Sequence, residues 1–119
     1  MADREKKIWI TFNGEIYNFR EIRKELENLG YLFRSNSDTE VIINSYKAWG
    51  IKSILKFNGM FAFSLWDADR HQLFLVRDRY GIKPLYYYLN DGLLIFASEI
   101  RAILENEEVK YCKGKFIII

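Results

Sequence analysis

The sequence predicts an α+β fold, with helices first along the chain and antiparallel strands after them. Two patterns predict this order. Between residues 18 and 57, apolar side chains recur at the helical period, whereas between residues 60 and 97 they alternate at the strand period. Internal repeats and Pro- or Ser-rich linkers are absent from the sequence. We therefore expect residues 1–119 to form a single domain.

The first predicted elements are a strand and an amphipathic helix. Residues Ile8 to Phe12 are β-branched and aromatic, which predicts a short strand, and Asn13-Gly14 predicts a tight turn directly after it. The helix that follows is predicted to begin after a capping Asn18 and to end at Gly30.

A second helix is predicted to start in the same way. Residues 31–33 first predict a brief strand. Ser37 is then a capping residue, Glu40 closes the capping box, and Gly50 ends the helix. Residues 51–57 predict one more short helical piece.

The second half of the chain predicts two β-hairpins. Their strands are expected at residues 60–66, 72–76, 84–89 and 93–97. The second hairpin turns at residues 90–92, Asn-Asp-Gly. Ser98 is predicted to cap a short helix over 99–105, and the tail 110–119 ends in a β-rich run.

Composition excludes several classes of protein. The chain has 18 Lys and Arg against 16 Asp and Glu, a formal net charge of +2, which is too small an excess to predict nucleic-acid binding. One Cys and one His cannot form an internal disulfide or a usual structural zinc site. No metal and no cofactor is therefore predicted. Apolar runs fall short of the about 20 residues that a membrane span needs, and no secretory signal is present. We expect a cytoplasmic protein that does not bind membranes.

Asn13-Gly14-Glu15 is the first candidate site. An Asn side-chain amide and a Gly backbone N–H can both point at one oxygen, as an oxyanion hole requires. Glu15 beside them can bind a cation such as an α-amino group. The structural alternative is an ordinary strand-to-helix turn with a charged neighbour.

Asp38 is the second candidate. Together with Glu15 it offers two carboxylates that can hold one ammonium group. The structural alternative is an acidic first helical turn that complements the helix dipole. Elsewhere, residues 77–84 predict a structural loop with internal Arg–Asp pairing, His71 a solvated turn residue, and Cys112 a thiol with no catalytic base beside it.

Five blocks occur in a fixed order: ITFNGEIYNFREIRKEL, SDTEVIINSY, FNGMFAFSLWD, VRDRYGIKPLYYY and IFASEIRAIL. Together they resemble the glutaminase domain of glutamine-hydrolysing asparagine synthetase, a class II glutamine amidotransferase of the N-terminal-nucleophile hydrolase type. The resemblance implies an αββα sandwich of two antiparallel sheets. It also implies hydrolysis of glutamine to glutamate and ammonia, which a synthetase domain uses for ATP-dependent asparagine synthesis.

The resemblance also implies roles for individual residues. Asn13 and the N–H of Gly14 match the oxyanion hole, and Glu15 and Asp38 match residues that hold the substrate glutamine. With five blocks in agreement, the site interpretation of these residues outweighs the turn and the cap. A capping Ser37 is compatible with it, because the cap positions Asp38.

The sequence departs from the family at its start. The family's nucleophile is a Cys at the mature N-terminus, whereas this chain has Met1 and Ala2, and Cys112 lies at the opposite end. The segment with the Arg that clamps the glutamine carboxylate and the synthetase domain are not recognised either. We therefore expect a truncated, incomplete sandwich that is inactive as a glutaminase by itself.

Missing strands would leave sheet edges and apolar faces uncovered. We expect the FIII run at 116–119 to fill one gap. A homodimer, or a complementing N-terminal fragment that carries the Cys, is expected to fill the rest. The alternative function is a non-catalytic amino-acid-binding or dimeric interaction module built on the same fold.

Overall fold

The computed structural model describes residues 1–109 and the backbone of residues 117–118. Its helices are α1 (Phe19–Asn28), α2 (Asp38–Trp49), the 3₁₀ helix Gly50–Lys56 and α3 (Ile100–Leu104). Its strands are β1 (Ile8–Ile16), β2 (Gly59–Asp67), β3 (Gln72–Arg77), β4 (Tyr86–Asn90), β5 (Leu93–Ala97) and β6 (Ile117–Ile118). Both predicted hairpins, β2–β3 and β4–β5, are confirmed.

The described strands form two antiparallel sheets. The first has the order β1-β2-β3 and the second the order β5-β4-β6. Helices α1 and α2 pack on the first sheet and α3 packs on the second, as expected for the predicted αββα arrangement. The two residues of β6 pair with Tyr86 and Tyr87, so part of the C-terminal run does add a strand to a sheet of the same chain.

The main core lies between the first sheet and helices α1 and α2. Alternation along β1 turns Ile8, Ile10 and Ile16 towards the helices, where they are buried. Thr11, Asn13 and Glu15 point to the opposite face, which the second sheet partly covers. The candidate residues of β1 therefore face away from the main core.

Strand β1 runs through Asn13-Gly14, so the turn predicted there is wrong. Asn13 pairs with Ala62 and Gly14 with Phe61, and the ladder continues to Ile16. Nine residues of β1 find partners on β2, and this pairing outweighs the local turn preference of an Asn-Gly dipeptide.

The predicted Asn18 cap is also wrong. The Asn18 Nδ2 donates to the backbone oxygen of Lys56 at 2.8 Å, and its Oδ1 accepts from the N–H of Asn58 at 2.8 Å. The side chain therefore ties the start of α1 to the start of β2. At α2 the prediction is confirmed, because the Ser37 hydroxyl accepts from the N–H of Glu40 at 3.2 Å.

The remaining predicted boundaries give mixed results. Gly30 ends α1 as expected: its φ is +91°, its N–H donates to Glu27 O, and the N–H of Tyr31 donates to Leu26 O, each at 3.0 Å. Residues 31–33 form no strand, so that prediction is wrong. Ser98 does not cap α3, because the chain enters that helix through Glu99, which makes no side-chain cap.

Candidate active site

The candidate site lies on the outer edge of β1, the edge strand of the first sheet. In an antiparallel ladder, hydrogen-bonded and non-hydrogen-bonded pairs alternate. Phe61 faces Gly14, but its N–H donates to the Asp78 carboxylate at 3.2 Å and its carbonyl accepts from the Asp78 N–H at 2.7 Å. Gly14 is therefore a non-hydrogen-bonded position, and its N–H is directed away from β2.

Neighbouring residues of the same parity confirm the direction of this edge. The N–H of Ile10 donates outward to the carbonyl of Met1 at 2.9 Å. The N–H of Ile16 donates outward to Oδ2 of Asp38 at 3.1 Å. Between these two contacts, the N–H of Gly14 has no hydrogen-bond partner among the described residues. The edge is thus open at the position that the sequence predicts for an oxyanion donor.

Gly14 itself cannot be replaced by a larger residue without a shift of the sheet. A Cβ at this position would lie 2.1 Å from the carbonyl oxygen of Met60 and 2.7 Å from Cα of Phe61. Its φ of +142° also belongs to a region that L side chains rarely adopt. Glycine therefore allows the close approach of β1 and β2 next to the free N–H.

Asn13 lines a cavity of about 230 Å³ between the two sheets. Thr11 and Ser64 line the same cavity from the first sheet, and their hydroxyls are 2.6 Å apart. Phe96 of β5 and Ser98, which follows β5, line its other side. The amide of Asn13 has no hydrogen-bond partner among residues 1–109, so its two N–H donors are available beside the N–H of Gly14.

Glu15 and Asp38 are brought to the same end of β1. Glu15 is exposed and its side chain has no partner among the described residues. Asp38 is the first residue of α2, and its Oδ2 binds the N–H of Ile16, the residue that follows Glu15. Its Oδ1 has no partner within the described part of the chain. One carboxylate oxygen of Asp38 thus remains for a ligand, while the other fixes the helix to the strand.

A polar network that the sequence did not reveal lies under Asp38. Both oxygens of the buried Glu40 carboxylate accept from the N–H of Arg34, at 2.9 and 3.1 Å. One of them also accepts from the N–H and the hydroxyl of Ser35, each at 2.7 Å. The predicted capping box is therefore wrong in its second half: the N–H of Ser37 donates to the Ser35 hydroxyl at 3.3 Å instead.

The electrostatics of Glu40 follow from this geometry. Burial on its own raises the pKa of a carboxyl group, because it disfavours the charged form. Here the donors of Ser35 and Arg34 outweigh burial, so the pKa of Glu40 is below its ordinary value. Glu40 is consequently charged at neutral pH, and its carboxylate is held by hydrogen bonds from Arg34 and Ser35. The signal for it in the sequence is the same Ser37-to-Glu40 spacing that suggested a capping box.

The loop at residues 77–84 is held together by backbone contacts. The Asp78 carboxylate is buried and accepts from the N–H groups of Phe61, Tyr80, Ile82 and Lys83 at 3.0–3.2 Å. The Arg77 guanidinium donates to the carbonyls of Gly81 and Lys83, each at 2.6 Å. The loop therefore has a structural role, as expected, but these contacts join Asp78 and Arg77 to backbone groups, and the internal Arg–Asp pairing stays a prediction.

Other candidates lie apart from the β1 edge. His71 is exposed in the β2–β3 turn with a φ of +52°, and its ring centroid is 6.3 Å from that of Trp66. Cys112 lies outside the described residues. Among the residues that the structure does describe, no group of three or more His, Cys, Asp or Glu could hold a metal ion. Nor does the described region contain a helix with the length and apolar character needed to cross a bilayer.

Known proteins resemble this chain over most of its length. The profile of the glutamine amidotransferase domain matches residues 1–114. Glutamine-hydrolysing asparagine synthetase 1 of Bacillus subtilis is 45% identical over 104 residues, which are 87% of this chain and 16% of that protein. Asparagine synthetase 3 of the same organism is 45% identical over 101 residues, 85% of this chain and 16% of the relative. The chain thus spans about one-sixth of the length of these relatives.

A solved structure supports the fold. Glutamine phosphoribosylpyrophosphate amidotransferase from B. subtilis, complexed with ADP and GMP, superposes with a TM-score of 0.73 at 24% identity. The match covers 87% of this chain and 24% of that one. Its arrangement of two antiparallel sheets and helices is the one found here. By its sequence and by its fold, the chain belongs to the glutamine amidotransferase domain family.

Proposed function

We propose that this chain provides the glutamine-binding half of a glutaminase site. The observation that carries the proposal is the free N–H of Gly14 on the open edge of β1, next to the unpartnered amide of Asn13. These donors suit the oxygen of the glutamine carboxamide, which becomes an oxyanion when the carbonyl is attacked. Glu15 and Oδ1 of Asp38 suit the substrate's α-ammonium group.

The chemistry that this site serves is cleavage of the C–N bond of the carboxamide. A nucleophile attacks the carbonyl carbon, and the electron pair of the C=O bond moves to the oxygen, which Asn13 and Gly14 stabilise. Collapse of the tetrahedral intermediate re-forms the C=O bond and releases ammonia, whose nitrogen takes up the proton lost by the nucleophile. Water then hydrolyses the acyl intermediate, which releases glutamate and returns the proton to the nucleophile. In asparagine synthetases of this type, the ammonia serves asparagine synthesis, and we propose the same use for a protein that contains this domain.

We further propose that the polypeptide of residues 1–119 binds glutamine without hydrolysing it. The family's attacking group is an N-terminal Cys thiolate, whereas position 1 here is Met and the only Cys is Cys112. Loss of the nucleophile alone lowers turnover by several orders of magnitude, because the remaining donors only bind and polarise the amide. A separate fragment that carries an N-terminal Cys is the partner that would restore the reaction. The natural setting of the chain itself is expected to be the reducing cytoplasm.

Calorimetric titration with glutamine tests the binding proposal. We expect saturable binding that is weakened about tenfold or more in Asp38→Ala and in Asn13→Ala, since each removes a charged or polar contact to the ligand. His71→Ala is the matched control, because His71 is exposed in the β2–β3 turn, which lies at the opposite end of β1 from Glu15. Equal affinities in all four proteins would contradict the site.

An ammonia-release assay tests the second part. The wild-type polypeptide is expected to release no more ammonia from glutamine than the Asn13→Ala variant does. Steady release that disappears in the Asn13→Ala variant would contradict the proposed lack of turnover and would identify a nucleophile within the chain.

An exposed aromatic pair favours the alternative of a dimeric interaction module. Trp9 and Trp66 are cross-strand partners on the face of the first sheet opposite the helices and remain 49% and 37% exposed. Large apolar side chains grouped on a sheet face are typical of contact surfaces. If calorimetry detects no amino-acid ligand but the chain self-associates through this pair, the interaction role is favoured.

A further inference from the structure

We infer that Glu40 is a positioning residue that holds Asp38 in place for the ligand. The inference rests on the proposed function, in which Asp38 binds the substrate's ammonium group. It starts from an unusual feature of α2: a carboxylate that is only 6% exposed and that faces the preceding loop instead of solvent. Groups of this kind are rarely buried unless they are fully hydrogen-bonded.

The contacts of Glu40 determine the path of the chain into α2. Its carboxylate binds the N–H groups of Arg34 and Ser35 at 2.7–3.1 Å, which fixes the two residues where the loop turns towards the helix. These bonds are charge-assisted and therefore stronger than those between neutral groups. If the turn moved away from the helix, the buried carboxylate of Glu40 would lose its hydrogen-bond donors, which is costly in free energy.

The network then continues to Asp38 through two hydroxyl groups. The Ser35 hydroxyl donates to Glu40 at 2.7 Å and lies 2.9 Å from the Ser37 hydroxyl. The Ser37 hydroxyl in turn caps the helix at the N–H of Glu40, at 3.2 Å. Asp38 follows Ser37 directly, so the backbone from which its carboxylate extends is fixed on both sides.

The far end of this chain of contacts is the hydrogen bond from the N–H of Ile16 to Oδ2 of Asp38, at 3.1 Å. It connects α2 to the open edge of β1. If Glu40 loses its charge, the loop and the start of α2 are released, and Asp38 no longer stays beside Ile16. Oδ1 of Asp38 then loses its place relative to Glu15 and Gly14.

Amide hydrogen exchange at Ile16 tests the positioning directly, without any ligand. Glu40→Gln keeps the shape of the side chain but places an NH₂ group among N–H donors. We expect exchange at Ile16 to become about tenfold faster relative to the core amides, the effect of losing one net hydrogen bond. Ser35→Ala keeps the charge of Glu40 and is expected to make exchange at Ile16 about threefold faster. It replaces Glu40→Gln as the test if that variant does not fold.

Asp67→Asn is the matched control. Asp67 is also a buried carboxylate that accepts several bonds, from the Tyr46 hydroxyl at 2.8 Å and from Arg70 at 3.0 Å. It pairs with Ile8, at the opposite end of β1 from Ile16. We expect it to lower stability without a selective change at Ile16. Exchange at Ile16 that is unchanged in the Glu40 and Ser35 variants, or equally faster in Asp67→Asn, would overturn the inference.

A double-mutant cycle on glutamine affinity tests whether Glu40 acts through Asp38. We expect Glu40→Gln to weaken binding about tenfold in the wild-type background and not to weaken it further in Asp38→Asn. Additive effects would mean that Glu40 acts independently of Asp38 and would refute the inference. If the wild-type chain does not bind glutamine but Ile16 responds as described, the proposed function fails and the positioning role stands.

Discussion

At the scale of single residues, Gly14 links the packing of the sheet to the chemistry of the site. Its missing Cβ lets β1 lie against the backbone of Met60 and Phe61, at distances that no side chain would allow. Its N–H has no partner among the described residues, since Phe61 uses both of its backbone groups on Asp78. One residue thus supplies a donor to the edge and keeps the strand that carries Asn13 and Glu15 close to its neighbour.

Gly14→Ala is therefore expected to cost about 3 kcal/mol or more of stability, because the new methyl group meets rigid backbone atoms. Urea unfolding followed by circular dichroism measures the loss. Gly30→Ala is the control: its φ is also positive, at +91°, but nothing lies within 4 Å of the new Cβ. Backbone strain alone is expected to cost about 1–2 kcal/mol there. Equal losses would show that the close approach of β1 and β2 is not limiting.

At the scale of elements, sequence patterns predicted the two long helices and the helix ends that depend on interactions between neighbouring residues. Helices α1 and α2 follow from their apolar periodicity, and Ser37 and Gly30 act at helix ends as expected, because capping involves only neighbouring residues. Two of the errors concern residues whose partners are distant in sequence. The Asn13-Gly14 dipeptide predicts a turn, but it pairs with β2. Asn18 predicts a cap, but its side chain binds Lys56 and Asn58.

The same distinction applies to the candidate site. The five sequence blocks predict the site residues, whereas the open N–H of Gly14 depends on Asp78, which no local pattern connects to it. The hydroxyl contact between Thr11 and Ser64 depends on the register of two strands that are 53 residues apart in sequence. Such contacts require the three-dimensional pairing, which a single sequence does not specify.

The junction between β2 and the 77–84 loop is expected to be sensitive to acid. Burial alone would raise the pKa of Asp78, but the backbone N–H donors of Ile82, Lys83, Phe61 and Tyr80 outweigh it and lower the pKa below its ordinary value. A lowered pKa in the folded state means that the contribution to stability is complete above about pH 4, the ordinary pKa of Asp. It is lost as the pH falls further, through the pKa of the folded state.

Asp78→Asn should therefore lower stability by about 1–3 kcal/mol at pH 7, since buried N–H groups lose a charged acceptor. It should also flatten the decline of stability below about pH 4. Urea unfolding at a series of pH values measures both effects. Asp69→Asn is the control, because Asp69 is exposed and forms an ion pair with Lys7 at 3.0 Å. An acid profile that is unchanged in Asp78→Asn would contradict this assignment.

At the scale of the whole molecule, the described chain is extended rather than spherical. Its Cα radius of gyration is 15.6 Å, against about 13.5 Å for a compact domain of this length. The main core lies on the helix side of the first sheet, whereas most residues of β4 and β5 are only partly buried. Trp9 and Trp66 are left exposed on the face of the first sheet opposite the helices.

We expect this exposed surface to be covered by a second copy of the chain. Light scattering should then give twice the 14.3 kDa mass of one chain. The double substitution Trp9→Ser with Trp66→Ser should shift the protein towards the monomer, because it removes the largest apolar groups of the surface. A monodisperse monomer for the wild-type chain would contradict self-association and would favour a complementing fragment as the partner.

The open stretch of β1 also has a consequence for how the protein behaves at high concentration. Unpaired strand edges recruit strands from other molecules, which is a route to precipitation. Contacts from Met1 and Asp38 shield either side of that stretch, and the amide of Gly14 lies within it. The N–H of Gly14 cannot donate to the carbonyl oxygen of a small ligand and to the backbone of another molecule at the same time. If glutamine binds as proposed, its occupancy should therefore slow clouding of a concentrated solution.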